Sequence, residues 1–163
     1  MQLEKLFKMQ KDLDHHIEEK HNLKNEDLFN RKVLALFVEI GELANETRSF
    51  KFWSVKPSSP KEVILEEFVD GIHFILSLGL ECGFNKTLNE ISKGETSSDV
   101  TNQFLAIYNA LSIFQKSKSI EDYISLFKGY LQLANLLGIT NEEMEKAYFK
   151  KNEVNYQRQR NNY

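Results

Sequence analysis

The sequence predicts an all-α helical bundle of five or six helices, and three observations predict it. Only two prolines and seven glycines interrupt 163 residues, which leaves long windows of unbroken helical period. Within those windows apolar residues recur at three- and four-residue spacing, as one buried helix face requires. The windows are bounded by residues that start and stop helices. The length suits one hydrophobic core, so residues 1–163 are expected to form a single domain.

The first helix is expected over residues 2–20, with Leu3, Leu6, Phe7, Gln10, Leu13, Asp14 and Ile17 along one side. A second runs from about Glu26, with Asn25 as N-cap, to about Phe50. Ser59-Pro60-Lys61-Glu62 predicts the third start: a serine cap, a proline at the first helical position and a glutamate completing a capping box. Gly83 is placed to stop that helix, and "KFWSVKPSSP" is the loop before it. "NKTLNEISKGETSSD" is polar and weakly patterned, a connection with a short helical turn. Val100, Phe104, Ile107, Tyr108, Leu111 and Phe114 mark the next helix. Ser119 and Gly138 bound another, and "TNEE" is a second capping box opening a helix to about Arg160.

Composition narrows the function classes. With 41% hydrophobic and 28% charged residues the chain is globular rather than disordered. A net charge of −3 supplies no positive field for nucleic acid or an anionic membrane. The lone cysteine, Cys82, excludes an intrachain disulfide and a cysteine-rich zinc site. The start "MQLEKLFKMQKD" lacks the apolar run of a signal peptide, and the stretch "GIHFILSLGL" is about half a membrane span. A cytoplasmic protein with no membrane and no nucleic-acid partner is expected.

The unusual feature is acid set among core residues, in "VEIGELANE" and "EEFVDG". At about 100° per residue, Glu39, Glu42 and Glu46 form a stripe beside the apolar face of Val33, Leu36, Ile40 and Leu43. Glu67 and Asp70 share their sector of the third helix with Val63 and Phe74. Two helices joined by a short loop tend to lie antiparallel, so the two acid pairs can face each other across a groove. Such a cluster repels itself unless cations neutralise it. Carboxylates without histidine or cysteine favour Mg²⁺, with Mn²⁺ as substitute, and Mg²⁺ commonly shares itself with substrate phosphate. Acids three residues apart are also the ordinary pattern of a solvated face, and spacing alone leaves both readings open.

In "AYFKKNEVNYQRQ", Tyr148, Lys151, Asn155 and Arg158 fall within about 80° of one another on a helix. Lysine and arginine suit phosphate oxygens, and asparagine can read a base edge or sugar hydroxyl. The same stripe is also what a basic last turn favoured by the helix dipole looks like.

Together E-x-x-E, 24 residues, E-x-x-D, and the flanking "QKDLD", "SFKFW", "EEFVDGIHF" and "YFKKNEVNYQRQ" resemble the dimeric, all-α dUTP diphosphatases of the MazG-like NTP pyrophosphohydrolase superfamily. The resemblance covers Gln10 to Gln159. It implies that Glu39, Glu42, Glu67 and Asp70 ligate Mg²⁺ and that Glu39 is also the base for the attacking water. It implies hydrolysis of dUTP, and of dUDP, to dUMP, with pyrophosphate released from dUTP. Lys151 and Arg158 would bind phosphates, and Gln10, Trp53, His73, Tyr148 and Asn155 the nucleoside, with Phe50 beside Trp53 and with Asp14 and Lys51 as further candidates. A homodimer is implied too. The alternatives are a related enzyme acting on dCTP or another nucleotide, and a catalytically silent helical dimer that binds a protein partner.

Overall fold

The computed structural model describes residues 1–92 and 99–162; part of the weakly patterned connection, 93–98, lies outside them. Six α-helices form the described fold: α1 Leu3–Lys20, α2 Phe29–Thr47, α3 Lys61–Glu81, α4 Val100–Ser117, α5 Ile120–Leu136 and α6 Asn141–Arg160. A single 3₁₀ turn, Phe84–Lys86, follows α3, and no strand occurs among the described residues. No described helix is long and apolar enough to cross a membrane.

The expected caps hold at α5 and α6, and α4 has one that was not read from the sequence. Asp99 caps α4, Ser119 caps α5, and Thr140 with Glu143 forms a reciprocal capping box on α6. Three expectations at α2 and α3 need correction. Asn25 does not start α2; the helix begins at Phe29, whose N–H donates to Asp27 Oδ1 at 3.0 Å. It ends at Thr47 rather than Phe50 because Arg48 turns left-handed at φ 58°. The Arg48 guanidinium then ties down the following loop, donating to Lys56 O at 3.1 Å and Ser54 Oγ at 2.7 Å. Ser59 makes no cap on α3. Its hydroxyl donates to a Glu46 side-chain oxygen and its N–H to Glu46 O, so two acceptors on α2 take the serine from the helix start.

Pairings along the helices fix their directions. Glu46 of α2 meets Ser59 just before α3, and Lys32 of α2 meets Glu81 at the far end of α3, so α2 runs antiparallel to α3. On α1 and α3, Gln10 meets His73 and Asp14 meets Ser77, so these two run parallel. Helix α6 lies along both, joined through Lys61–Glu143 and Lys151–Glu66 to α3 and through Tyr148–Gln10 and Gln159–His21 to α1. Helices α4 and α5 form a hairpin across the remaining side, with Tyr108 reaching Phe37 O on α2 and Tyr130 reaching Phe68 O on α3.

Helix α3 is therefore the centre of the bundle. Ile64, Phe68, Val69, Ile72, Ile75, Leu76 and Leu78 are all buried. Two fully buried tyrosines of α5 donate to its backbone, Tyr123 to Ile75 O and Tyr130 to Phe68 O, both at 2.9 Å. Such close approach needs the glycines opposite. A Cβ on Gly71 would stand 2.0 Å from the Tyr130 hydroxyl, and one on Gly79 2.4 Å from that of Tyr123.

Gly71→Ala is accordingly expected to displace Tyr130, costing ~1–3 kcal/mol by overpacking and about 1 kcal/mol more for the lost hydrogen bond. Urea denaturation measures this, and an unchanged midpoint would show that the contact is not tight.

Candidate metal and nucleotide site

The antiparallel packing of α2 on α3 brings Glu39 opposite Glu67 and Asp70. One carboxylate oxygen from each lies within 4.8 Å of the others, and all three side chains are partly buried. Glu42, one turn further along α2, is exposed and its carboxylate falls outside this group. Its charge still acts on both glutamates. Burial, then Asp70, Glu42 and Glu67, push the Glu39 carboxyl up to about 7. Glu67 is raised by burial, Asp70 and Glu42, and Asp70 by burial against the opposing pull of Lys151. An all-oxygen set of mutually repelling carboxylates is the donor chemistry of a hard divalent cation.

Lys151 reaches the cluster from α6. The residue is 8% exposed, and its ammonium lies 2.7 Å from Asp70 Oδ2 and 2.9 Å from Glu66 Oε1. Burial disfavours its charge, but those two carboxylates outweigh burial and raise its pKa. In this structure the lysine is thus engaged by acids of α3. Glu66, which points away from Glu67 on the helix, is exposed and held low by that same ammonium.

Beside the acids lies a cavity of about 380 Å³ between α1, α2, α3 and α6. Glu39 and Asp70 line one part of it, and Gln10, His73, Asn155 and Arg158 line the rest. Gln10, His73 and Tyr148 form one connected group. The Tyr148 hydroxyl donates to Gln10 Oε1 at 2.8 Å, His73 Nδ1 lies 2.7 Å from the same oxygen, and the His73 and Tyr148 rings stack at 4.2 Å. Tyr148 is fully buried behind Gln10 and does not itself line the cavity. Burial pushes the His73 imidazole down to about 3, so it is neutral at ordinary pH.

Trp53 is placed elsewhere. It stands 65% exposed on the loop after α2, edge-on to Phe52 at 5.1 Å and Phe50 at 6.0 Å, and does not line the cavity. Lys51, on the same loop, is bonded to Asn45 of α2. Asp14, by contrast, does line the cavity, with Gln10 Nε2 donating to its Oδ1 at 2.7 Å.

Among the cavity residues that lay outside the site read from the sequence are Lys32, Phe74 and Ser77. Each carries a signal that could have found it. Lys32 lies seven residues before Glu39 and Ser77 seven after Asp70, two helical turns and hence the same face, while Phe74 is one turn beyond Asp70.

Fold and site together define an all-α protein with a cluster of three carboxylates that could hold a cation, beside a cavity lined in part by amides. The chain matches, over residues 2–163, the family model described as dUTPase, and it belongs to that family. It is therefore an enzyme of dUTP hydrolysis in the general sense that the family carries. No curated protein matches the chain at a significant level.

Glu39 gives the site a pH signature. Its folded-state pKa of about 7 lies above the ordinary 4.5, so its contribution to stability is present below 4.5 and lost as pH rises through about 7. A bound cation offsets the same repulsion. Chelator-treated protein is expected to lose melting temperature between about pH 5 and about pH 8, and added Mg²⁺ or Mn²⁺ to recover much of it. Thermal melting at several pH values checks this; equal pH dependence with and without cation would contradict it.

Proposed function

We propose that this chain hydrolyses dUTP, and dUDP, to dUMP with Mg²⁺ as the physiological cation, Mn²⁺ substituting. The observation that carries the reading is that Glu39 and Asp70 line the same cavity as Gln10, His73, Asn155 and Arg158. One space then holds phosphates against the acids and a nucleoside against the amides.

Glu39, Glu67 and Asp70 would hold the cation, with Glu42 completing the negative lining. When bound, a divalent ion there supplies charge neutralisation for the phosphates and a lowered pKa for coordinated water. Glu39 orients the attacking water and accepts its proton. The water oxygen bonds to a phosphorus of the α–β linkage as the P–O bond to the leaving group breaks. Pyrophosphate departs from dUTP and phosphate from dUDP.

Arg158 provides a planar fork for phosphate oxygens from the α6 side. Lys151, already gripping Asp70, aligns that ligand and adds positive charge beside the transferred group. Gln10 and Asn155 offer amides that match the uracil edge, and His73 faces the sugar. Trp53 and Phe50 belong to a loop outside the cavity in this structure, and covering the base would require that loop to move or a neighbouring copy to contribute it.

A homodimer belongs to the same reading. Helices α2 and α4 leave Leu34, Val38, Leu105 and Ile113 exposed, apolar surface of the kind that a second copy covers. Light scattering is expected to give about twice the chain mass of 19.1 kDa; the mass of one chain would remove the dimer from the proposal.

Activity is tested by comparing dUTP, dUDP, dCTP, dTTP and UTP with and without Mg²⁺. Turnover is expected for the two deoxyuridine substrates only, and only with the cation. Preference for dCTP would replace the substrate assignment. Glu39→Gln is expected to lower kcat by about 10²–10⁴ with an unchanged circular dichroism spectrum. Full activity in that variant would end its assignment as base.

A further inference from the structure

A buried polar chain runs from the surface of α2 to the cavity, and its direction is fixed at every link. Lys32 lies 3.8 Å from Asp14 Oδ2 and 3.4 Å from Glu18 Oε1, and is also bonded to Glu81. Ser77 donates to the same Asp14 oxygen at 2.6 Å. Burial holds the Asp14 carboxyl above its usual range, with Lys32, Ser77 and Gln10 opposing, but beside the Lys32 ammonium both of its oxygens act as acceptors, Oδ2 from Ser77 and Oδ1 from Gln10. As a carboxylate it can only accept.

That restriction passes to Gln10. Its Nε2, and not its Oε1, must face Asp14 Oδ1, 2.7 Å away. Its Oε1 is thereby turned to Tyr148 and His73, with contacts of 2.8 and 2.7 Å. An amide oxygen has two lone pairs, and the tyrosine hydroxyl uses one. The other can be satisfied only by a proton on His73 Nδ1. A neutral imidazole protonated at Nδ1 carries a bare lone pair at Nε2. That atom is buried and has no partner among the described residues, in a side chain that is 5% exposed and lines the cavity.

We infer that Asp14 is a positioning residue: by fixing the direction of the Gln10 amide it holds His73 with its proton on Nδ1, so the cavity offers an acceptor at His73 Nε2 and a donor at the second N–H of Gln10. Resting on the reading of this cavity as the nucleoside pocket, the assignment sets the chemistry of the ligand. The substrate brings an N–H or O–H to His73 and a carbonyl oxygen to Gln10. Lys32 and Ser77 act one step further back, by holding Asp14.

Replacing Asp14 with asparagine should invert the chain. The new side chain keeps its oxygen toward Lys32 and Ser77 and turns its NH₂ toward Gln10. Gln10 then flips, its NH₂ donates to His73 Nδ1, and the imidazole proton moves to Nε2.

Long-range ¹H–¹⁵N correlation spectra of the full chain with labelled histidine read the tautomer directly, without nucleotide. Wild-type His73 is expected to carry its proton on Nδ1, and Asp14→Asn to move it to Nε2. The same variant is expected to raise KM for dUTP about tenfold, with a much smaller change in kcat, as one reversed hydrogen bond in binding requires. A proton on Nε2 in the wild type would overturn the assignment, as would an unchanged tautomer in the folded variant. Should the variant fail to fold, the wild-type spectrum alone decides. The Nδ1 form in a protein that does not turn over dUTP would support the assignment while overturning the substrate reading on which its ligand chemistry rests.

Discussion

Glu39, Glu67 and Asp70 converge to within 4.8 Å because the packing of α2 against α3 leaves them no other place. Their mutual repulsion works against the fold, as the rise of Glu39 to about 7 records. The bundle tolerates this because its apolar residues hold the two helices together independently. Leu36, Ile40 and Leu43 of α2 and Phe68, Ile72 and Ile75 of α3 are all fully buried. Stability resides in the core, and the acids are carried by it.

Contacts from several helices restrain α3 where it carries the acids. Tyr123 and Tyr130 bond directly to α3 carbonyls over Gly79 and Gly71, so helix α5 cannot slide along its neighbour without breaking a buried hydrogen bond. Phe68, whose carbonyl Tyr130 holds, lies between Glu67 and Val69, one step from a candidate cation ligand. Lys151 adds an electrostatic clamp on Asp70 from α6. Packing, hydrogen bonding and charge thus act on the same short stretch of α3, from three different helices.

The cavity side is organised by a different logic. There one amide is shared among several partners: Gln10 serves Asp14, Tyr148 and His73 at once. Shared partners make direction matter more than strength, because reversing one amide reverses every link beyond it. Tyr148 contributes from behind, as a fully buried donor stacked on the imidazole, rather than as a wall of the cavity.

Local rules were sufficient for the helices themselves. The caps at Ser119 and Thr140, the stops at Gly83 and Gly138, and the buried stripe of α2 were all legible, because each depends on residues within a turn or two. The acid pairs were legible for the same reason, being three residues apart on single helices. Where long-range partners competed, local reading failed: Glu46 on α2 took Ser59 from the start of α3, and Arg48 ended α2 early by bonding into the loop beyond it. Only tertiary structure could separate Glu42 from the other three acids, place Lys151 against Asp70 and Glu66, or join Lys32 and Ser77 to Asp14. Those outcomes depend on how far apart helix axes lie and which way each face turns, and neither quantity is written in the periodicity of one helix.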